Sequence, residues 1–356
     1  ALNTDGLTNA GNFSTDGGTI KLDGNYPTGT DNVALGNTAL DSVEAGGEDN
    51  TAIGSLSGTA ITTGDRNTSV GSCSLITVSA GSRNTAIGYN SLKLNTGSCN
   101  TGIGEQALTS NTTGTKNTGI GRGALAANTE GDGNVAVGDG TLDANTTADN
   151  NTAVGFCSLS ANTTGVNNTA LGSFSLKSNT TGTSLTAVGF CALANSTGNQ
   201  NTAVGDRTLR INTTGVENTG MGYIAFCCNT SGSYNTGLGG QSLRFNTTGS
   251  NNVSVGHCSL RANTTASNNT AVGACSLKVN TTGTNNVAVG KGASQANTTG
   301  NNNIAIGLDA LCVNQTGTRN TGIGTDALRN NTGDCNTAIG SLSLDSNTTG
   351  ASNTAM

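Results

Sequence analysis

One phrase repeats along almost the whole chain, and it limits the fold more than any other feature of the sequence. If the residue after a recurring Asn is called position zero, that position recurs at residues 33, 51, 68 and onward to 354, which gives nineteen complete units. Most units are seventeen residues long. Such a period predicts a stack of coils, because one short unit cannot bury its few aliphatic side chains alone.

The first three positions of each unit read as a short β-strand. Position zero is Thr, Val or Ile, position two is always aliphatic, and the residue between them is Ala, Gly or Ser. Because side chains alternate between the two faces of a strand, positions zero and two share one face. We expect that face to form a core column, with the small residue facing outward. The column includes Val154, Leu171 and Val188.

A glycine and a leucine mark the next part of each unit. Position three is Gly in all nineteen units, which predicts a backbone corner that no Cβ would permit. These corner glycines include Gly155, Gly172 and Gly189. Position seven is Leu in sixteen of nineteen units and predicts a second short strand that delivers one apolar side chain inward. The second core column includes Leu159, Leu176 and Leu193.

These patterns predict an all-β fold, a parallel β-solenoid of about nineteen coils with two short stacked sheets and an Asn-Thr-Thr-Gly turn. A composition of 54 Gly, one Pro and few charged residues argues against helices. The recurring Asn before position zero is expected to form a hydrogen-bonded ladder between coils. Residues 1–32 lack the repeat and are expected to form a cap or attachment segment, and residues 33–356 form the solenoid. The last unit is cut off at Met356, which predicts that more chain or a partner follows.

The repeated phrases resemble a known family. "NNTAVGFCS" from Asn150 to Ser158, and variants such as "NNVAVGKGA" and "DNTAIGSLS", are similar to the head repeat of YadA-type trimeric adhesins. This resemblance extends over about nine-tenths of the chain. It implies a left-handed β-roll and a homotrimer. The small residues at position one, such as Ala153 and Gly220, are expected to face away from the Val/Ile column, which would allow close approach of a neighbouring chain.

A second resemblance concerns the segment "GTIKLDGNYPTGTDNVALGNTAL", from Gly18 to Leu40, and the many "NTTGxxNTAxG" units after it. They are similar to fibre proteins of tailed bacteriophages, especially cyanophages. We therefore expect an external virion fibre segment that has no enzymatic activity, joins other virion proteins at its N-terminal end and binds a glycan or protein receptor on the host. The alternatives are the head of a bacterial cell-surface trimeric adhesin and, less favoured, a polysaccharide depolymerase spike.

The ten cysteines raise the question of disulfides or a metal site. Cys258 and Cys275 both occupy position five in adjacent units, at a separation that would permit a disulfide. Cys227 and Cys228 are expected on opposite faces of a strand. Unbridged thiols that pack as small apolar groups are the favoured interpretation. A zinc site is not expected, since there is no paired CxxC spacing and His257 is the only histidine.

Three further groups carry weaker signals. Asp309 and Asp326 share position five in adjacent units, where paired carboxylates would suit a glycosidase, although a solvated surface is favoured. An acidic cluster in the first unit is interpreted as a solvated loop rather than a cation site. It comprises Asp41, Glu44, Glu48 and Asp49. Aromatic residues at position four are expected to cover the corner, or to form an exposed stripe that contacts sugars. They are Tyr89, Phe156, Phe190 and Tyr223.

The charge pattern predicts which partners are absent. The formal net charge is −6, and Lys and Arg are scattered along the sequence, which argues against nucleic-acid binding. No apolar run reaches membrane-spanning length, so membrane insertion is not expected, and the N-terminus has no signal-peptide pattern. No cofactor or metal is predicted.

Overall fold

A computed structural model describes residues 31–356 and two short strands before them, β1 (Phe13–Thr15) and β2 (Gly18–Ile20), which pair antiparallel. The proposed cap, residues 1–32, falls almost entirely outside these described residues. The chain divides into two units, Ala1–Ser173 and Phe174–Met356. From residue 31 onward there are strands and turns and no helix, so the all-β prediction is confirmed for this part of the chain.

Each unit is a parallel β-solenoid, and together they contain about nineteen turns. The strands of the first unit are β3 (Val33–Leu35), β4 (Thr51–Ile53), β5 (Thr68–Val70), β6 (Thr85–Ile87), β7 (Thr101–Ile103), β8 (Thr118–Ile120), β9 (Val135–Val137), β10 (Thr152–Val154) and β11 (Thr169–Leu171). Those of the second unit are β12 (Thr186–Val188), β13 (Thr202–Val204), β14 (Thr219–Met221), β15 (Thr236–Leu238), β16 (Val253–Val255), β17 (Thr270–Val272), β18 (Val287–Val289), β19 (Ile304–Ile306), β20 (Thr321–Ile323), β21 (Thr337–Ile339) and β22 (Thr354–Ala355).

Every repeat begins with one of these strands, as the sequence predicts. Within each unit consecutive strands pair in parallel and in register, so Thr152 lies beside Thr169 in one unit and Thr202 beside Thr219 in the other. The repeat is therefore the structural period as well as the sequence period. A residue at a given position lies next to its counterpart in the neighbouring coil.

The prediction of a second strand at position seven was wrong. That segment is a series of turns, and the leucines there adopt left-handed backbone angles, with φ of 52° at Leu159 and 48° at Leu193. Leu159, Leu176 and Leu193 are nevertheless fully buried, so the leucine column is confirmed as core. A left-handed conformation disfavours β-branched side chains. Position seven carries Leu in most coils and never Val or Ile, whereas position two carries both.

The predicted direction of the first strand was also wrong. The small residue at position one points inward, and Ala153 is 0% exposed. Positions zero and two point outward, so Val154 and Leu171 are each 37% exposed and Val188 is half-buried rather than in the core. The physical reason is space. A leucine from the opposite wall occupies the interior of such a narrow coil, and only a small side chain fits against it.

One coil shows how the two inner positions share this space. Position seven carries Phe226 instead of Leu, and its ring is fully buried. Position one of the following coil is Gly237, where an added Cβ would meet the Phe226 ring first. The larger side chain is thus accommodated by removal of the methyl group opposite. A methyl group at position 237 would therefore clash with this ring.

Glycine corners close each coil against the next. Gly155 has φ of 129°, and a Cβ there would lie 2.7 Å from the carbonyl carbon of Gly172. Gly172 and Gly189 have φ of 128° and 130°. The backbones of successive coils approach so closely at position three that a side chain cannot be inserted. The predicted role of the corner glycines is confirmed.

Two buried columns of asparagine satisfy the backbone of the remaining turns. The main-chain N–H of Asn151 donates to Oδ1 of Asn134 at 3.0 Å, and the Asn134 amide donates to the carbonyl of Ala148 at 2.8 Å. At position ten, Asn145 donates to Asn128 Oδ1 at 2.8 Å and to the same Ala148 carbonyl at 3.0 Å. The predicted ladder before position zero is confirmed. A second ladder, at position ten, runs beside it.

Candidate functional site

The outward face of the strands is an exposed apolar feature of each unit. Positions zero and two point away from the core, and position two is aliphatic in every complete coil. In the first unit the exposed members include Ile53, Ile87, Ile120, Val154 and Leu171. In the second unit they include Met221, Ile306 and Ile339. We call this surface the strand face. An apolar line of this kind is typical of a surface that contacts another protein.

The cysteines are unbridged, including Cys258 and Cys275, so the possible disulfide is not formed in this structure. Cys258 is buried, and its sulfur lies 3.6 Å from Nε2 of His257. Among residues 31–356 no group of three potential His, Cys, Asp or Glu ligands could hold a metal ion.

The adjacent cysteines lie differently from the prediction. Cys227 and Cys228 are in a turn rather than a strand, so they do not point to opposite faces, and their sulfur atoms are 3.3 Å apart. Burial, and secondarily the neighbouring Cys227 thiol, raise the pKa of Cys228 to about 11. Cys228 is therefore protonated, and a weak nucleophile, at neutral pH.

The carboxylate pair lies among other polar side chains. Asp326 forms an ion pair with Arg329, at 3.5 Å between the charged atoms, which occupies one carboxylate oxygen. Burial and then the charge of Asp309 raise the pKa of the nearby Cys312 thiol. Asp309, Asp326, Arg329 and Cys312 thus form one polar group, in which Asp309, Asp326 and Cys312 are half-buried.

The remaining predicted groups lie on the surface. Asp41, Glu44, Glu48 and Asp49 are all exposed, and Asp49 is 3.5 Å from Arg66 in an ion pair. The aromatic residues at position four are also exposed, and they lie in four coils that are not adjacent to one another. Phe190 packs edge-on against Phe174, with 6.0 Å between ring centroids, and Arg207 lies over its ring. Tyr89, Phe156 and Tyr223 are likewise exposed.

A group of cations was missed at the sequence level. Arg210, Arg244, Arg261 and Lys278 are far apart in the chain, but all occupy position eight. In-register stacking places them in one line within the second unit. The signal that would have revealed them is their shared repeat position. The four cations look scattered when only their distance along the sequence is considered.

Among the residues that the structure describes, no helix has the length and apolar character needed to cross a membrane. No protein-family model matches the sequence, and no match was found among curated proteins or solved structures.

Proposed function

We propose that this chain is a structural, non-catalytic segment of an external fibre on a tailed bacteriophage, where it acts as a spacer and takes part in host attachment. In this proposal three chains associate as left-handed β-rolls, and the N-terminal end joins other virion proteins. The resemblance of the repeats to YadA-type heads and to phage fibres supports the assignment. The single observation that carries it is the exposed apolar strand face.

The strand face supports association between chains because exposed apolar surface is unfavourable in water. Val154 is more than one-third exposed, and its counterparts repeat in coil after coil. Burying apolar surface contributes about 25 cal/mol per Å². A chain of the same sequence offers the same line at the same spacing, so like chains can cover each other continuously. The small residues at position one do not contribute, since they lie inside the coil.

The interior supports a mechanical role. Backbone N–H and C=O groups form hydrogen bonds between neighbouring coils, and both asparagine ladders also join neighbouring coils along the axis of the stack. Separating two coils requires all of these bonds to break together, so a pulling force along the stack is shared among many groups.

The oligomeric state is the first test. Mass photometry should give a particle of three times the 35.0 kDa chain mass. Replacing Val154 and Met221 with Glu should dissociate the trimer and leave the far-ultraviolet circular dichroism unchanged, because both side chains point outward. Thr113→Glu on an exposed turn is the control and should remain trimeric. A monomeric unmodified chain would refute the trimer.

The location is the second test. Antibodies against the purified chain should label external fibres of phage particles whose genome encodes it, in negative-stain electron microscopy. Label on the surface of bacterial cells, and none on particles, would instead favour the trimeric adhesin head. Depolymerase activity that disappears in Asp309→Asn would overturn the non-catalytic assignment.

A further inference from the structure

A column of positive charge runs along five consecutive coils of the second unit. Position eight carries Arg210, Cys227, Arg244, Arg261 and Lys278 in that order. The main-chain N–H at position nine of one coil donates to the carbonyl at position eight of the next, at 3.0–3.3 Å. Four cations therefore lie in line over about 19 Å, since stacked strands are about 4.8 Å apart. We call them the basic column.

The charge of this column is not neutralised within residues 31–356. The ion pairs of the second unit involve Arg207 and Arg329 but none of the four column cations. Like charges in neighbouring coils repel each other. A row of three consecutive cations, from Arg244 to Lys278, is therefore an arrangement that an external anion would stabilise.

Two of these cations share neutral partners. The guanidinium groups of Arg244 and Arg261 both hydrogen-bond to Oε1 of Gln241, at 3.4 and 3.1 Å. Both also lie over the ring of Phe245, 4.8 and 5.4 Å from its centroid. Nε of Arg244 is buried and has no hydrogen-bond partner. These contacts orient the two guanidinium groups. Because the partners are neutral, the positive charge of each group is still able to pair with an anion.

An apolar row lies directly beside the basic column. Position nine carries, in the same five coils, Ile211, Cys228, Phe245, Ala262 and Val279. The surface therefore alternates a line of cations with a line of apolar groups. An anionic polysaccharide matches both, because carboxylates or sulfates pair with guanidinium groups and the C–H faces of sugar rings pack on apolar side chains.

The coil spacing suits a sugar chain, and the ring contacts disfavour single-stranded nucleic acid. The coils repeat at about 4.8 Å, a distance comparable with one extended hexose unit. Single strands bind proteins largely by stacking bases on aromatic rings. The one ring in the position-nine row, Phe245, already has two guanidinium groups over it.

We propose that the basic column, with the apolar row beside it, binds an extended anionic polysaccharide that runs along the stacked coils of the second unit. This inference rests on the proposed role in host attachment and names the class of receptor. Each residue of the basic column follows a buried residue at position seven, on the wall of the coil opposite the strand. Leu209, for example, packs across the core against Gly220 at position one. The basic column therefore lies on the opposite side of the core from the strand face. Trimer formation through the strand face would leave it accessible.

The test is binding of dextran sulfate to the full chain, measured by isothermal titration calorimetry at low and physiological salt. Binding should weaken with salt, and uncharged dextran should not bind. The double variant Arg244→Gln/Arg261→Gln should weaken binding at least about tenfold, since each charge-assisted pair is worth more than a neutral one. Arg244→Lys should give a smaller loss, because charge is kept and the fork is removed.

The matched control is Lys291→Gln/Arg319→Gln, which removes the same charge from the same unit away from the column. Its affinity should stay within about twofold of the unmodified chain. Absence of dextran sulfate binding, an equal loss in the control, or tighter column-dependent binding of single-stranded DNA would each overturn the proposal. Thermal melts should show all variants folded. Mass photometry on the same samples measures the oligomeric state separately. The trimer proposal and the polysaccharide-binding proposal can therefore fail independently.

Discussion

The two units share an interior but differ in charge. Residues 1–173 contain 15 acidic and 6 basic residues, a net charge of −9, whereas residues 174–356 contain 6 acidic and 9 basic residues, a net charge of +3. Yet Leu159 and Leu260 are both fully buried, and Gly155 and Gly222 have φ of 129° in both cases. The fold therefore depends on few positions of the repeat, and the outward positions of the turns vary without changing it.

This division leads to a general expectation. Matched substitutions at inward positions should destabilise both units equally, and matched substitutions at outward positions should have little effect in either. A difference between the units at an inward position would show that their interiors are not equivalent.

Substitution of a corner glycine should have the largest effect. Gly155→Ala and Gly222→Ala would each place a methyl group 2.7 Å from a backbone carbon of the next coil, at a φ that favours glycine. We expect each to lower the free energy of unfolding by about 3 to 6 kcal/mol, measured by urea denaturation. Gly46→Ala has a positive φ of 114° but no atom within 4 Å and should cost less. Equal losses at Gly155 and Gly46 would disprove the role of close approach.

Truncation of a core leucine should come next. Leu159→Ala and Leu260→Ala each remove a fully buried side chain and should cost about 2 to 5 kcal/mol. The same urea titrations should give values that agree between the units. The control is Leu308→Ala, whose side chain is 44% exposed and should change the free energy of unfolding little. If Leu308→Ala were as damaging as the core variants, burial would not be the cause.

Loss of one member of the position-ten ladder should have an intermediate effect. Asn246 donates to Asn229 and to the Gly249 carbonyl and accepts from Asn263, at 2.7–2.9 Å, and Asn128 has equivalent bonds. Replacing either with Ala should cost about 1 to 3 kcal/mol, because buried partners lose their bonds. Thr265→Ala on the exposed turn should be neutral within about 0.5 kcal/mol. Thermal melts in which the Asn and Thr variants behave alike would count against the ladder.

The first three coils have no asparagine at position ten. They carry Val43, Ile61 and Val78 at position ten, all buried, in place of asparagine. An apolar column is therefore compatible with this backbone where all neighbours are apolar. It is the removal of one partner from a continuous ladder that is costly.

Removal of surface ion pairs should have the smallest effect. Arg122 lies 3.0 Å from Asp139 in the first unit, and Arg207 lies 3.8 Å from Asp206 in the second. Both arginines are exposed, and both aspartates are partly exposed. Arg122→Ala and Arg207→Ala should each change the free energy of unfolding by about 0.5 kcal/mol or less, and added salt should reduce even that. A loss of more than about 1 kcal/mol in either unit would mean that surface charge contributes to the fold.

The sequence alone predicted the stack, its period, the strand positions, the corner glycines and the leucine column. Those features follow from which residues recur. The direction of the strand could not be deduced in the same way, because Val154 and Ala153 alternate and size alone suggested that the larger one is buried. The left-handed backbone at Leu159 was also hidden, since leucine normally favours helices or strands.

Among the candidate sites, prediction succeeded least where neighbours in space are distant in sequence. Arg244 and Arg261 are one period apart and lie side by side. Cys227 and Cys228 were assigned to a strand, where their side chains would point apart. They lie in a turn instead, and the turn brings their sulfur atoms close together. In each case the missing information was the local backbone conformation rather than the residue type.

The in-register pairing of coils has an evolutionary consequence. Because Thr152 pairs with Thr169 just as Thr202 pairs with Thr219, each coil presents to its neighbour the same set of partners. Recombination between two repeats in the gene would add or delete whole coils, and every remaining coil would still meet a suitable neighbour. The length of such a solenoid can therefore change in large steps without passing through an unfolded intermediate sequence, and the charges on its outer turns can be reassorted in the same event.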